Sequence, residues 1–141
     1  MHYFRYSQGI TIDHDRISVK EALELVQHQE TASTNKDNYL GFTYEDSDAT
    51  IQFVRKSHTK WIMDVPYYHD GEFVKAKDSE VSHSVVLDIV DRFFNPSDPM
   101  TKALIEGKYD DFEKIIEKEY GIVLLDVDLE RELQQWLNDN E

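Results

Sequence analysis

The chain contains no cysteine. This absence excludes disulfide bonds, zinc sites built on thiolates, and cysteine nucleophiles. The five glycines lie far apart, so the sequence has neither a phosphate-binding loop nor the glycine fingerprint of dinucleotide-binding proteins. No apolar stretch reaches the length of about 18 residues that a membrane span needs, and the N-terminus has no signal-peptide pattern. Together these absences predict a cytoplasmic protein without a membrane span.

Basic residues are scarce relative to acidic ones. The 141 residues include 15 Lys and Arg and 29 Asp and Glu, which gives a formal net charge of −14. Nucleic acids and anionic lipids carry the same sign, so direct binding to either is disfavoured. The excess is concentrated near the C-terminus, because the segment from Asp110 to Glu141 contains eleven acids and three bases. The charge therefore favours a basic protein as partner.

Length and hydrophobic content predict a single globular domain over residues 1–141. Domains commonly have about 100–150 residues, and the hydrophobic fraction of 40% is ordinary for a folded protein. A chain of this size buries about 68–70% of its unfolded surface on folding. It therefore needs neither a metal nor a disulfide for stability, and no cofactor is expected.

The hydrophobic periodicity changes along the chain. A period near 3.6 follows Ser18, and this serine together with Glu21 matches a helix capping box. From Tyr39 the period is 2, which predicts an antiparallel meander of three to five strands. Helical periodicity returns after a cap at Asp78 or Ser79. The fold class predicted is α+β, with helices packed over one face of the sheet and a helical C-terminal third.

Local signals predict where several elements begin or end. A short N-terminal strand is expected at residues 9–12. Pro66 has no N–H and is expected to end the third strand of the meander. Asp98-Pro99 predicts the start of a helix, and Gly121 predicts the end of another. A last helix is expected from about Asp128.

Histidines and carboxylates of the meander give one enzymatic interpretation. His58 and His69 flank the third strand, and Asp64 lies between them, so these three residues are candidates for a small hydrolase or ligand-binding site. The competing interpretation places both histidines in exposed loops. It places Asp64 on the polar face of its strand, beside Arg55 or Lys60. No histidine pair has the spacing of zinc ligands on one helix. We therefore expect neither catalysis nor a bound metal.

Two kinds of residue are candidates for contact with a basic partner. Tyr67 and Tyr68 follow the meander's third strand, and tyrosine provides a large contact area at low entropic cost. The other candidates are carboxylates of a turn and of the last helices, namely Glu45, Asp46, Asp48, Asp110, Asp111, Glu113, Glu117, Glu130 and Glu132. Asp110 and Asp111 also have a structural explanation, since carboxylates stabilise a helix N-terminus by about 0.3–1 kcal/mol each.

The centre of the chain resembles small immunity proteins of bacterial polymorphic toxin systems. The resemblance lies in the strands Thr50–Arg55 and Trp61–Pro66 and in the helix that ends at Phe94, and it covers about residues 39–94. It implies a non-enzymatic inhibitor whose acidic surface neutralises a cognate basic toxin, such as a nuclease. It assigns no functional residue. A phage-type inhibitor that mimics DNA with spaced carboxylates is a further alternative.

Overall fold

The computed structural model describes residues 2–7, 10–29, 31, 39–44 and 46–127. In chain order the elements are β1 (His2–Ser7), β2 (Ile10–Asp15), α1 (Val19–His28), β3 (Tyr39–Thr43), β4 (Thr50–Arg55), β5 (Lys60–His69), β6 (Glu72–Ser82), α2 (His83–Phe93), α3 (Pro99–Ile105), α4 (Tyr109–Tyr120) and β7 (Leu125–Asp126). The strands form one sheet in the order β2-β1-β3-β4-β5-β6-β7, and every neighbouring pair is antiparallel.

The predicted α+β class is confirmed, with an antiparallel sheet and helices packed on it. Strands β3 to β6 are the predicted meander. The sheet is wider than the meander because β1 and β2 extend it on one side and β7 extends it on the other. Helices α3 and α4 lie in the C-terminal third, whereas the helix predicted from Asp128 falls outside the described residues. Among the helices described, none has the length and apolar character required to cross a membrane.

The N-terminal segment forms a hairpin instead of the one short strand expected at residues 9–12. Ser7 of β1 lies opposite Ile10 of β2, and β1 also pairs with β3. Residues 2–6 contain two tyrosines and a phenylalanine, which favour strands. Because β1 has a partner strand on each side, pairing stabilises it as a strand even though the alternation in its sequence is too weak to predict one.

A single hydrophobic core lies between the sheet and the helices. Alternate residues of the central strands face it, and Ile51, Phe53, Trp61, Met63 and Val65 are completely buried. The helices contribute Ala22 and Val26 of α1, Val86, Ile89, Val90 and Phe93 of α2, Met100 of α3, and Phe112 and Ile116 of α4. Burial of each large side chain contributes about 1.5–3 kcal/mol, so the sheet and the helices depend on each other for stability.

Pro66 does not end its strand. β5 continues beyond it, with Pro66 opposite Ala76 of β6. The Ala76 carbonyl accepts a hydrogen bond from the Val127 N–H at 3.0 Å, so the backbone of Ala76 faces β7. The Pro66–Ala76 pair therefore requires no N–H from proline. On the other side of β5, pairing with β4 does stop at Asp64. The prediction that Pro66 ends the strand was therefore wrong only for the pairing of β5 with β6.

The helix expected after Asp78 or Ser79 begins later. β6 continues to Ser82, and its residues from Asp78 onward pair with β5. The Ser82 hydroxyl then accepts a hydrogen bond from the Val85 N–H at 3.3 Å and caps α2. Strand pairing thus overrides an otherwise acceptable cap. Three other predicted ends are confirmed, since Ser18 forms a capping box, Asp98 caps α3 ahead of Pro99, and Gly121 ends α4.

Arg55 is buried on the core face of the sheet, with 6% of its surface exposed. Its guanidinium donates to the carbonyls of Gln29 at 3.1 Å, Ser57 at 3.2 Å and His58 at 3.0 Å. It also lies 5.2 Å from the centre of the Trp61 ring. Arg55 therefore joins the end of α1 to the turn between β4 and β5.

Trp61, which is buried, and His83, which is half-buried, form a second polar contact. The indole Nε1 donates to His83 Nδ1 at 3.1 Å, and the two rings stack with their centres 5.9 Å apart. Burial lowers the pKa of His83, and the neighbouring Arg55 and His58 add to this effect. Since Nδ1 accepts a hydrogen bond, the neutral imidazole carries its proton on Nε2.

Arg92 of α2 holds the helices together. It forms ion pairs with Asp98, at 3.0 Å, and with Glu119, and it donates a hydrogen bond to the Tyr120 hydroxyl at 3.0 Å. Tyr120 in turn donates to Asp88. This network connects α2 with the cap of α3 and the end of α4, and so positions the first turn of α4 over the sheet.

We expect Arg55→Lys to lower the free energy of unfolding by about 2–4 kcal/mol. Lysine cannot reproduce the planar fork of donors, so buried carbonyls are left unpaired. Urea denaturation followed by tryptophan fluorescence measures the effect. The exposed neighbour provides the control, since Lys56→Ala should change stability by less than about 0.5 kcal/mol. Equal effects of the two substitutions would contradict a structural role for the Arg55 contacts.

Acid should destabilise the protein through His83. The unfolded chain binds a proton on this histidine near pH 6.5, whereas the folded protein resists protonation, so the free energy of unfolding falls as the pH drops below about 6.5. Asparagine can accept the same indole N–H without titrating. We therefore expect His83→Asn to show a shallower loss of stability between about pH 7 and 5.5. Identical pH dependence in both proteins, measured by urea denaturation, would show that His83 is not responsible.

Candidate functional site

The two histidines of the enzymatic interpretation lie at opposite ends of a long strand. His58 is in the turn before β5, and His69 is the last residue of this ten-residue strand. At the usual rise per residue the two are about 30 Å apart, so they cannot approach each other across the hairpin. In the described part of the chain no three metal-ligating side chains form a group that could hold a metal ion.

Asp64 lies in the middle of the same strand, on the face opposite the core, as strand alternation predicted. Its predicted neighbours are wrong. The register places Asp64 between Gln52 of β4 and Asp78 of β6. Arg55 faces the core, and Lys60 lies 3.8 Å from Glu80. Register, which the sequence does not reveal, decides which side chains meet across a sheet.

Three segments that are distant in sequence meet around Tyr109, at one end of the sheet. The turn after β3 contributes Asp48, the end of β5 contributes Tyr68, and the first turn of α4 contributes Asp110. Two adjoining cavities, of about 340 and 300 Å³, share Tyr68, His69, Gly107 and Tyr109. We call the outer surface of both cavities the Tyr109 surface; it comprises Asp48, Tyr67, Tyr68, His69, Asp70, Glu106, Tyr109, Asp110 and Glu113.

A β-bulge shapes the hairpin of β5 and β6 next to this surface. Tyr67 lies opposite Lys75 and Tyr68 lies opposite Phe73, so Val74 is one extra residue in β6. A bulge changes the direction of the side chains that follow it, and bulges are frequent beside functional sites. Here it leaves the backbone of Tyr68 accessible to a side chain from α4.

The Tyr109 side chain occupies that position. Its hydroxyl accepts a hydrogen bond from the Tyr68 N–H at 2.9 Å and donates to the Tyr68 carbonyl at 3.3 Å. Its ring stacks on Tyr67, with ring centres 4.0 Å apart and planes inclined by 11°. The first residue of α4 is therefore fixed to the bulge by two hydrogen bonds and one aromatic contact.

Tyr67 supports the surface from below. Only 5% of the residue is exposed, and its buried hydroxyl forms no hydrogen bond of ordinary geometry within the described residues. Burial raises the pKa of Tyr67, and the nearby Glu113 carboxylate raises it further. Tyr67 therefore positions Tyr109 and is too deep to meet a partner directly, whereas Tyr68 is half-buried and reaches the surface.

The larger cavity is lined by three carboxylates and by His69, which lies 3.4 Å from Asp70. Asp48, Asp70 and Glu106 come from three different parts of the chain, and neither lysine nor arginine lines this cavity. Burial raises the pKa of Tyr68, and the negative charge of Asp48 adds to the rise. Glu106 forms ion pairs with Lys108 at 3.1 Å and Lys102 at 3.9 Å, both outside this cavity, so the charge available to a cationic partner lies mainly on Asp48 and Asp70.

Two lysines line the smaller cavity, and both are neutralised. Lys77 lies 2.7 Å from Glu113, and Lys75 lies 3.5 Å from Asp126. Asp110 lines the same cavity and has no ion pair among the described residues. The lysines thus stabilise the wall of the cavity without reversing the sign of the surface.

The remaining predicted contact residues lie elsewhere. Asp46 is exposed in the same turn as Asp48 but lines neither cavity, and Asp111 lies in the groove between α3 and α4, near lysine side chains. Glu117 is exposed further along α4. Glu45, Glu130 and Glu132 lie outside the described residues. The structure therefore brings together Asp48, Tyr67, Tyr68, Asp110 and Glu113 from the predicted set.

Three residues of the Tyr109 surface were missed from the sequence, namely Tyr109, Asp70 and Glu106. Asp70 and Glu106 are carboxylates that directly follow a strand and a helix. The local sequence of such residues does not indicate which side chains they contact. Tyr109 begins α4 three residues before Phe112 and seven before Ile116, so helical spacing places it on that helix's apolar stripe but does not say what it contacts. Only the packing of α4 against the hairpin shows what it contacts.

Comparison with known proteins adds no relative from which a function can be transferred. No family model matches the chain, and neither a curated protein nor a solved structure is significantly similar to it.

Proposed function

We propose that this protein is a non-enzymatic inhibitor that binds a basic protein through the Tyr109 surface. In this proposal it is an immunity protein that neutralises a cognate toxin domain, such as a nuclease. The observation that carries the proposal is the meeting of Asp48, Asp70 and Glu106, from three separate segments, in one cavity that neither lysine nor arginine lines. A rigid tyrosine stack lies directly beside these carboxylates.

Electrostatics favours such a partner. The whole chain carries a formal charge of −14, and long-range attraction to a basic protein raises association rates up to about 10⁸–10⁹ M⁻¹s⁻¹ at low salt. A nuclease must attract phosphate to its active site, so its cleft is positively charged. An acidic surface can occupy that cleft and block it.

The enzymatic alternative has little support from the geometry. The three candidate residues lie far apart, with His58 in the turn before β5, Asp64 in the middle of the strand and His69 at its end. No pair of them can therefore act on one substrate. The DNA-mimic alternative needs carboxylates repeated along an extended surface in place of phosphates. The acids of the Tyr109 surface instead surround one cavity, which fits a single specific partner better.

Affinity capture in the native host tests the proposal. The tagged protein should retain a basic protein at low salt and release it at high salt, and co-expression with that protein should restore growth if it is toxic. Release at high salt follows from screening of the charges. A captured partner that is acidic, or that remains fully toxic in the complex, would contradict the inhibitor proposal. Capture of several unrelated DNA-binding proteins would instead favour the DNA-mimic alternative.

Two matched charge variants test which acids make the contact. We expect Asp48→Asn with Asp110→Asn to weaken binding of the captured partner about tenfold or more, and to reduce its salt dependence. Asp46→Asn with Glu117→Gln removes the same charge from the same two segments, outside the Tyr109 surface. This control pair should weaken binding less than about threefold. Calorimetric titration at low and high salt measures both, and equal losses would exclude the Tyr109 surface as the contact.

Tyr109→Phe tests whether the tyrosine stack organises the surface. The substitution removes both hydrogen bonds to the Tyr68 backbone and keeps the ring, so we expect a loss of about 1–2 kcal/mol in urea denaturation and weaker partner binding. Tyr44→Phe is the matched control, because the Tyr44 hydroxyl donates to the Phe93 carbonyl away from the surface. It should reduce stability similarly and leave binding unchanged. Unaltered binding by Tyr109→Phe would contradict an organising role.

A further inference from the structure

Exposed apolar side chains are concentrated along one edge of the sheet. In the described part of the chain the large hydrophobic residues that are mostly exposed are Phe73 at 61%, Val74 at 59%, Val123 at 54% and Leu125 at 65%. Single exposed hydrophobic residues are common on folded proteins and need no explanation. Phe73 and Val74 differ, because they are adjacent at the end of a hairpin, where Val74 lines the smaller cavity and Phe73 packs against Tyr68.

The hairpin holds these two residues in a defined position. Asp70 and Gly71 form its two-residue turn with φ values of 52° and 78°, the backbone of a type I′ turn, which matches the twist of the strands. The Phe73 ring packs edge-on against Tyr68, with ring centres 6.0 Å apart. Val74 is the extra residue of the bulge. Little conformational freedom remains to be lost on binding.

Apolar and acidic side chains form one continuous surface at the end of this hairpin. Val74 and Tyr68 line the smaller cavity together with Asp110, while Tyr68 also lines the acidic cavity. Protein interfaces commonly have an apolar centre that supplies most of the binding energy and a polar rim that excludes water and sets specificity. The hairpin end beside the Tyr109 surface has this composition.

The charges around the hairpin decide the kind of partner. Asp70 and Glu72 precede the exposed pair, and Lys75, which follows it, is paired with Asp126. A second copy of the chain would bring another formal charge of −14 to the same place. Strand addition to β6 is also disfavoured, because a bulge and two lysines protect a strand edge from pairing. The occupant that fits is a basic protein whose apolar pocket is surrounded by lysine or arginine.

We propose that Phe73 and Val74 are the apolar anchor of the interface, inserting into such a pocket on the basic partner. This inference rests on the proposed function and adds to it the two residues that hold the complex together. Carboxylates of the Tyr109 surface then accelerate association, and the anchor slows dissociation.

Site-specific photocrosslinking in the native host provides the first half of the test. A photoreactive phenylalanine at position 73 should crosslink the basic protein that the tagged wild-type protein retains. The same group at Lys20, an exposed position on α1, should not crosslink that protein. Crosslinking of a second copy of this chain alone would overturn the proposal, as would equal crosslinking from both positions.

The second half uses the purified partner and a matched pair of variants. Phe73→Ser with Val74→Ser should raise the dissociation constant about tenfold or more, through faster dissociation, with the salt dependence unchanged. Val123→Ser with Leu125→Ser removes equally exposed apolar groups from the same edge and should change binding less than about twofold. Both double variants should keep the wild-type melting temperature, because all four side chains are mostly exposed.

The results separate the anchor from the proposed function. If Asp48→Asn with Asp110→Asn weakens binding but the Phe73 and Val74 variant does not, the inhibitor proposal stands and the anchor is wrong. If both apolar variants weaken binding equally, the anchor is also wrong, because general apolar character then explains the loss. If no basic protein is crosslinked or retained, both proposals are overturned.

Discussion

The pairing of β5 with β6 is the constraint on which the candidate site depends. It runs from Lys60 opposite Ser82 to His69 opposite Glu72, with one bulge. The pairing keeps the chain extended to Ser82, and so determines where α2 begins. At its other end the bulge leaves the Tyr68 backbone available to Tyr109. Without that contact α4 would not bring its first-turn carboxylates to the end of the sheet, and the acidic groups would remain scattered charges.

Elements with local signals could be predicted from the sequence, and those decided by pairing could not. The Ser18 capping box and the Asp98 cap depend on residues within one turn of the helix, and both predictions were correct. The alternation of Trp61, Met63 and Val65 toward the core was also correct, since it needs only a period of 2. The prediction for Pro66 was wrong because the effect of a proline depends on which neighbouring strand its missing N–H would have faced.

The candidate site was predictable in its residue types and not in its arrangement. Asp48, Tyr68 and Asp110 were singled out because carboxylates and tyrosines suit a basic partner, and the fold brings them together. Asp111 has the same residue type and lies in the same first turn of α4, but it lines the groove toward α3 and neither cavity of the Tyr109 surface. Tyr67 and Tyr68 were treated alike because the strand was expected to end at Pro66, whereas β5 continues and buries Tyr67 while Tyr68 reaches the surface. Helix phase, strand register and the bulge make these distinctions, and the local residue composition does not reveal them.

Charge alone is a weak argument for a binding surface, and the position of Asp110 shows why. Asp110 and Asp111 both lie in the first turn of α4, where either stabilises the helix dipole by about 0.3–1 kcal/mol. A structural explanation therefore suffices for both. Asp70 is likewise explained by the type I′ turn that it forms with Gly71, and Glu106 by its ion pairs with Lys102 and Lys108. These local explanations do not account for the way the fold brings the carboxylates of three segments to the end of the sheet, beside Tyr68 and Tyr109. This convergence, more than the charge itself, favours a binding surface.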